Sequence, residues 1–83
     1  MAVIDDVKRV LGETLQLGDR VNGFDNSTGL FGSIPEFDSM AVVTVITALE
    51  EQFDLMVDDD DITAETFASL GSLTSFVEEK LAG

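Results

Sequence analysis

Val42, Val45, Ile46, Leu49 and Phe53 stand at i, i+3, i+4, i+7 and i+11, the spacing of one buried stripe on a helix. That stripe constrains the fold more than any other feature, because a helix apolar on one side must find a partner for that side. Two further segments offer one. Val3, Ile4, Val7, Val10, Leu11, Thr14 and Leu15 recur with the same period, opposite Asp5, Asp6, Lys8, Arg9 and Glu13. This predicts a first helix from Val3 to Leu17, with Gly18 as its stop signal. Gly12 in its interior costs about 1 kcal/mol relative to alanine. Near the C-terminus, Leu70, Leu73, Phe76, Val77 and Leu81 predict a last helix over 70–81, with Ser69 as N-cap and Gly83 beyond its end.

Between the first two helices, residues 18–37 lose all periodicity. Gly18-Asp19-Arg20, Asn22-Gly23, Asp25-Asn26-Ser27-Thr28-Gly29 and Gly32-Ser33-Ile34-Pro35 are turn chemistry. Pro35 cannot occupy a helix interior and biases Ile34 toward extended backbone. A connection this long usually serves function. Phe24, Leu30, Phe31, Ile34 and Phe37 supply it with apolar anchors, so a loop pinned across the bundle is expected. Asp38 or Ser39 caps the second helix, and Asp54 lies near its end. After Leu55, Met56 and Val57 comes the run Asp58 to Asp61. A short helix is expected from Ala64 to Ala68, capped by Thr63 or Asp61, with Phe67 turned inward. The fold class is therefore all-α: three main helices plus one short helix, a long loop between the first two, and one domain over 1–83.

Charge narrows the partners. The chain carries −13 at pH 7, and its four basic residues are Lys8, Arg9, Arg20 and Lys80. No Lys or Arg lies between Arg20 and Lys80, a window that holds thirteen of the seventeen acids. Such a surface repels phosphate backbones and anionic lipid, which argues against nucleic acid and membrane partners. It favours proteins with basic patches, mainly through faster association. With no His, Cys, Tyr or Trp, the usual general base and the best nucleophile are missing, so self-contained catalysis is not expected. No apolar run approaches a membrane span, and Asp5 and Asp6 stand where a signal peptide has basic residues. The expected compartment is the cytoplasm.

The remaining face of the second helix carries the functional signal. Ser39, Met40, Val43, Thr44 and Thr47 lie opposite the core stripe, followed by Glu50 and Glu51. An exposed strip that is apolar first and acidic later is a docking surface in composition. The competing expectation is that Met40 and Val43 pack under the long loop beneath Ile34 and Phe37.

Taken together, Asp38-Ser39-Met40 at the head of this helix, the closing Ala48-Leu49-Glu50-Glu51-Gln52-Phe53 and the element order resemble the acyl carrier protein family over nearly the whole chain. The resemblance implies that a phosphopantetheinyl transferase joins 4'-phosphopantetheine from coenzyme A to the Ser39 hydroxyl, and that Asp38 is the acid the transferase recognises. It implies a stand-alone, monomeric carrier, not an enzyme, that presents acyl thioesters to ligases, synthases and acyltransferases with basic docking patches. Met40, Val43, Thr47, Glu50 and Glu51 would form the docking face. A helix N-terminus suits a phosphodiester, since free amides and the helix dipole favour negative charge. The arm would also bring the thiol that a cysteine-free chain lacks.

Three departures from the family pattern point to a specialised acyl or polyketide carrier rather than the housekeeping fatty acid carrier. Met40 replaces leucine, Ala41 and Thr44 replace acidic residues, and the lead-in Gly32-Ser33-Ile34-Pro35-Glu36-Phe37 is unusual. An aminoacyl or peptidyl carrier is the alternative on the same fold, disfavoured by the strong acidity. Asp54 to Glu65 has the length of a calcium loop, but Met56 and Asp59 occupy positions that need a ligand and a glycine, so no calcium site is expected and at most weak divalent binding is left open.

Overall fold

The three apolar stripes become three helices in a computed structural model, which describes residues 3–35 and 37–82, with the backbone alone at Asp59. Helix α1 spans Val3–Thr14, α2 spans Ser39–Phe53 and α3 spans Leu70–Ala82, with α1 packed against both others. Val7, Val10 and Leu11 of α1 meet Val42, Val45, Ile46 and Leu49 of α2 and Leu70, Leu73 and Val77 of α3 in one core. Fully burying each such side chain contributes about 1.5–3 kcal/mol, an upper estimate because denatured chains are already partly collapsed. Glu36 and Gly83, both named above, lie outside the described residues.

Helix α1 ends three residues earlier than its periodicity suggests. Gln16, not Gly18, takes the left-handed conformation after it, at φ 55°. The Leu17 amide donates to the Gly12 carbonyl at 2.9 Å, the 6→1 bond of a Schellman ending. The reason is Leu17 itself, which is buried and must leave the helical path to reach the core. Gly18 instead opens a 3-10 helix over Gly18–Gly23. That turn accounts for the glycine in α1: a Cβ at Gly12 would lie 3.2 Å from the Val21 side chain, which covers it.

The long connection is pinned, as its apolar anchors suggest. Leu30 and Phe31 amides donate to the carbonyls of Ala68 and Phe67 at 3.1 and 2.9 Å. Leu70 and Gly71 amides return bonds to Thr28 and Asn26 at 2.8 and 3.0 Å. Gly29 and Ser69 form an isolated antiparallel bridge. Leu30, Ile34 and Phe37 are buried, Phe24 is half-buried and Phe31 stays exposed. One loop thereby lies across the start of α3 with its backbone groups satisfied.

The short helix expected at 64–68 is not helical. That segment is a turn, with Thr66 N–H on Thr63 Oγ1 at 3.2 Å and Ala68 N–H on Glu65 O at 3.3 Å. The short helical element lies earlier, as a 3-10 turn over Asp59–Asp61. Phe67 must turn inward, and its carbonyl and that of Ala68 must pair with the loop, which a helical turn there would not allow. Ser69 caps α3 as its sequence suggests. Its Oγ accepts from Ser72 N–H, and Ser72 Oγ accepts from Ser69 N–H, both at 3.1 Å. Leu81, expected in the α3 stripe, is exposed, whereas Thr74 is buried. Among the described residues no helix is long and apolar enough to cross a membrane.

Candidate functional site: the head of helix α2

Asp38 begins the site. Its backbone is extended and its carboxylate accepts from the Ala41 amide at 2.9 Å, so Asp38, not Ser39, is the N-cap. The Val42 amide is taken by the Asp38 carbonyl at 3.0 Å. Ser39 is therefore the first helical residue, with its side chain exposed and its hydroxyl committed to no bond among the described residues. The residue two before it in the chain, Phe37, is buried and holds the approach to this turn.

Met40 and Val43 do not pack under the loop. They are 75% and 59% exposed, far too open for core residues. Thr44 and Thr47 are exposed as well, and their hydroxyls donate to Met40 O and Val43 O, both at 3.1 Å. Committing the hydroxyls to the helix backbone leaves the strip largely apolar. Ala41, by contrast, is buried, so the residue at this departure from the acidic pattern belongs to the core. Glu51 is exposed at the end of the strip. Glu50 is half-buried, and its Oε2 accepts from the Val57 amide at 3.0 Å. Its carboxylate thus fastens the chain that leaves α2, a task the helical periodicity did not reveal.

Beside Ser39 opens an apolar groove of about 290 Å³, walled by Phe31, Val42, Val43, Ile62, Ala64 and Phe67, with Ser39 itself among the residues that line it. One wall comes from α2, one from the loop and one from the segment after Asp61. That last segment is tethered to α3 by Lys80 Nζ, 2.6 Å from Asp61 Oδ2. Hydrogen bonding to Lys80 lowers the Asp61 pKa below its ordinary value, and the same contact raises that of Lys80. Neither the groove nor this tether was among the sequence expectations; the single cation at Lys80 within a long acidic stretch was the available signal. Among the described residues no three acidic side chains converge on a point that would hold a metal ion.

An exposed hydroxyl at a helix N-terminus, next to an apolar groove, fits a phosphate-linked arm that carries an apolar load. The family model for the phosphopantetheine attachment site matches residues 2–77. An acyl carrier protein of Sulfurovum sp. (strain NBC37-1) is 38% identical over 79 residues, covering 94% of this chain and 97% of its own. One from Campylobacter lari is 32% identical over 80 residues, covering 94% and 95%. The solution NMR structure of a holo acyl carrier protein from Nitrosomonas europaea superposes with a TM-score of 0.92 at 55% identity, covering 100% of both chains.

The chain belongs to the phosphopantetheine attachment site family. Within it, the relatives and the solved structure make the chain an acyl carrier protein; the aminoacyl or peptidyl alternative is not favoured.

Proposed function

We propose that the Ser39 hydroxyl carries 4'-phosphopantetheine and that the chain presents acyl thioesters on that arm to enzymes that dock on α2. The observation that carries this reading is the exposed Ser39 Oγ at the first turn of α2, with no hydrogen bond among the described residues. In the loading step the Ser39 oxygen bonds to the β-phosphorus of coenzyme A. The bond from that phosphorus to the adenosine 3',5'-bisphosphate portion breaks, and the serine proton passes to a base of the transferase. When bound, the arm supplies the thiol on which acyl groups travel. This chain's own contribution is position. Asp38 fixes the helix start that directs Ser39 outward and offers the transferase an acidic neighbour.

Docking falls to the strip of Met40, Val43, Thr47 and Glu51, with Glu50 adding charge beside it. An apolar centre next to carboxylates matches ligases, synthases and acyltransferases whose carrier sites are apolar and ringed by Lys and Arg. Catalysis resides in those partners, and the carrier works as a monomer in the cytoplasm. The Ala41 and Thr44 positions and the Phe37 lead-in support service to a specialised acyl pathway.

Intact-mass measurement after incubation with coenzyme A and a broad-specificity phosphopantetheinyl transferase tests the attachment. The parent chain gains one phosphopantetheine and Ser39→Ala gains none. A parent that stays unmodified, or an equal gain in Ser39→Ala, refutes Ser39 as the attachment residue.

A further inference from the structure

Lys80 is a nucleophile that a thioester carrier has reason to restrain. With no Cys, His or Tyr in the chain, the side-chain amines of Lys8 and Lys80 are its strongest side-chain nucleophiles. The two stand in different surroundings. Lys8 lines a groove between α1 and the 3-10 turn that shares no residue with the groove beside Ser39, and it forms no ion pair among the described residues. Lys80 is one step from the Ser39 groove. Ile62 lines that groove, and its chain neighbour Asp61 holds Lys80 Nζ at 2.6 Å.

The pair is partly open: the Lys80 and Asp61 side chains are 28% and 32% exposed, so the amine can be reached from solvent. The described groups that face it all favour its protonated form. Asp61 bonds to it, Asp58 adds negative charge, Glu79 lines the same shallow pocket, and the Phe76 ring centroid lies 5.7 Å away. The bond to Asp61 is the largest cause of a Lys80 pKa raised above its ordinary value, and it outweighs the partial loss of water that opposes it. Asp61 is itself held in place. Its Oδ2 accepts from the Asp58 amide at 3.3 Å, and its carbonyl accepts from Thr66 Oγ1–H at 3.1 Å.

A thioester swung on an arm from Ser39 meets this amine at high effective concentration, because the tether makes the encounter intramolecular. Resting on the reading of Ser39 as the attachment residue, we propose that Lys80 is a latent acyl-acceptor site and that Asp61 keeps it inactive, so that the carrier does not consume its own cargo. The reaction held back is aminolysis. An ammonium has no lone pair to attack with, whereas a neutral Nζ adds to the thioester carbonyl. The C–N bond forms, the C–S bond breaks, and the proton lost from nitrogen ends on the sulfur. The acyl group becomes an amide on Lys80 and the arm becomes a free thiol, with no oxidant or further reactant consumed.

The test loads the parent, Asp61→Asn and the double variant Asp61→Asn with Lys80→Arg, using octanoyl-coenzyme A and a broad-specificity transferase, then incubates each at mildly alkaline pH. Hydroxylamine removes thioesters and leaves amides, and peptide mapping by mass locates the octanoyl groups that remain. Asp61→Asn retains about two- to fivefold more octanoyl at Lys80 than the parent does, the range that one exposed ion pair supports. The double variant retains none at that position, and dilution leaves the retained fraction unchanged. Salt decides the matter without a substitution, should Asp61→Asn not fold. Sodium chloride at about 1 M, where the Debye length is about 3 Å, weakens the pair and raises octanoyl at Lys80 of the parent but not at Lys8. Equal retention in parent and Asp61→Asn, retention that falls on dilution, or octanoyl spread evenly over Lys8 and Lys80 overturns this inference alone. A parent that gains no acyl-arm mass overturns the attachment reading together with it.

Discussion

Asp25 shows how much one exposed side chain organises. Its Oδ1 accepts from Ser27 N–H at 2.9 Å, Ser27 Oγ–H at 2.7 Å and Thr28 Oγ1–H at 3.2 Å, closing the turn that leads the loop toward α3. The side-chain bond from Ser27, followed by its backbone amide and then Thr28, lowers the Asp25 pKa below its ordinary 3.8. A carboxyl depressed by folding contributes stability above its unfolded value and loses that contribution as pH falls through the folded value. NMR titration of the Asp25 carboxyl carbon will therefore give a midpoint below 3.8 in the folded chain; a midpoint at or above it contradicts the turn. Thr74 presents the opposite case, a buried hydroxyl that finds no partner among the described residues. Valine has the same shape without the stranded oxygen. Thr74→Val should raise the urea-unfolding free energy by about 1 kcal/mol, and a loss of stability would mean that the hydroxyl is bonded after all.

At the level of elements, α2 was legible in the sequence almost residue by residue. Its four strongest core positions repeat at helical spacing, Asp38 is a strong cap, and the exposure of Met40 and Val43 follows from the opposite face. The exposure of Ser39 at the first turn was legible for the same reason. What escaped was decided by tertiary demands that no local pattern records. Leu17 is drawn into the core and ends α1 early, and the Phe67 and Ala68 carbonyls bond to the loop and prevent a helix at 64–68. Glu50 reads as surface charge until the chain after α2 curls back and offers it the Val57 amide. Leu81 keeps the α3 period but lies past the point where the core ends. The docking of the loop on α3 depends on Gly71, where a Cβ would approach Asn26 O to 2.7 Å. Alanine gains up to about 1 kcal/mol in helix propensity, yet the clash is with backbone that is itself hydrogen-bonded to Gly71. Gly71→Ala should cost a net ~1–3 kcal/mol, the range for overpacking, in chemical denaturation. A stabilised variant would show that the loop yields freely.

Across the whole molecule, the net charge of −13 is the long-range influence on stability that salt can test. Seventeen acids against four bases leave a net repulsion on one small domain, and ion pairs oppose it locally. Lys80 binds Asp61 and lies 5.7 Å from the Phe76 ring centroid, and Arg9 reaches Asp6 at 3.6 Å. Screening should therefore favour the folded state more than it weakens these pairs. Raising sodium chloride from about 0.01 M to 0.15 M, which shortens the Debye length from about 30 to 8 Å, should raise Tm by several degrees; a falling Tm would show that attraction dominates. The exposure of Met40 has a different consequence. The chain's methionines are Met1, Met40 and Met56, and Met40 and Met56 stand open to solvent, while the core formed by the described residues holds no sulfur. Peroxide would convert the Met40 thioether, one residue from Ser39, into a polar sulfoxide without disturbing the packing inside. If partners dock on Met40 as proposed, oxidative damage would then leave a folded, loadable carrier that its enzymes no longer grip.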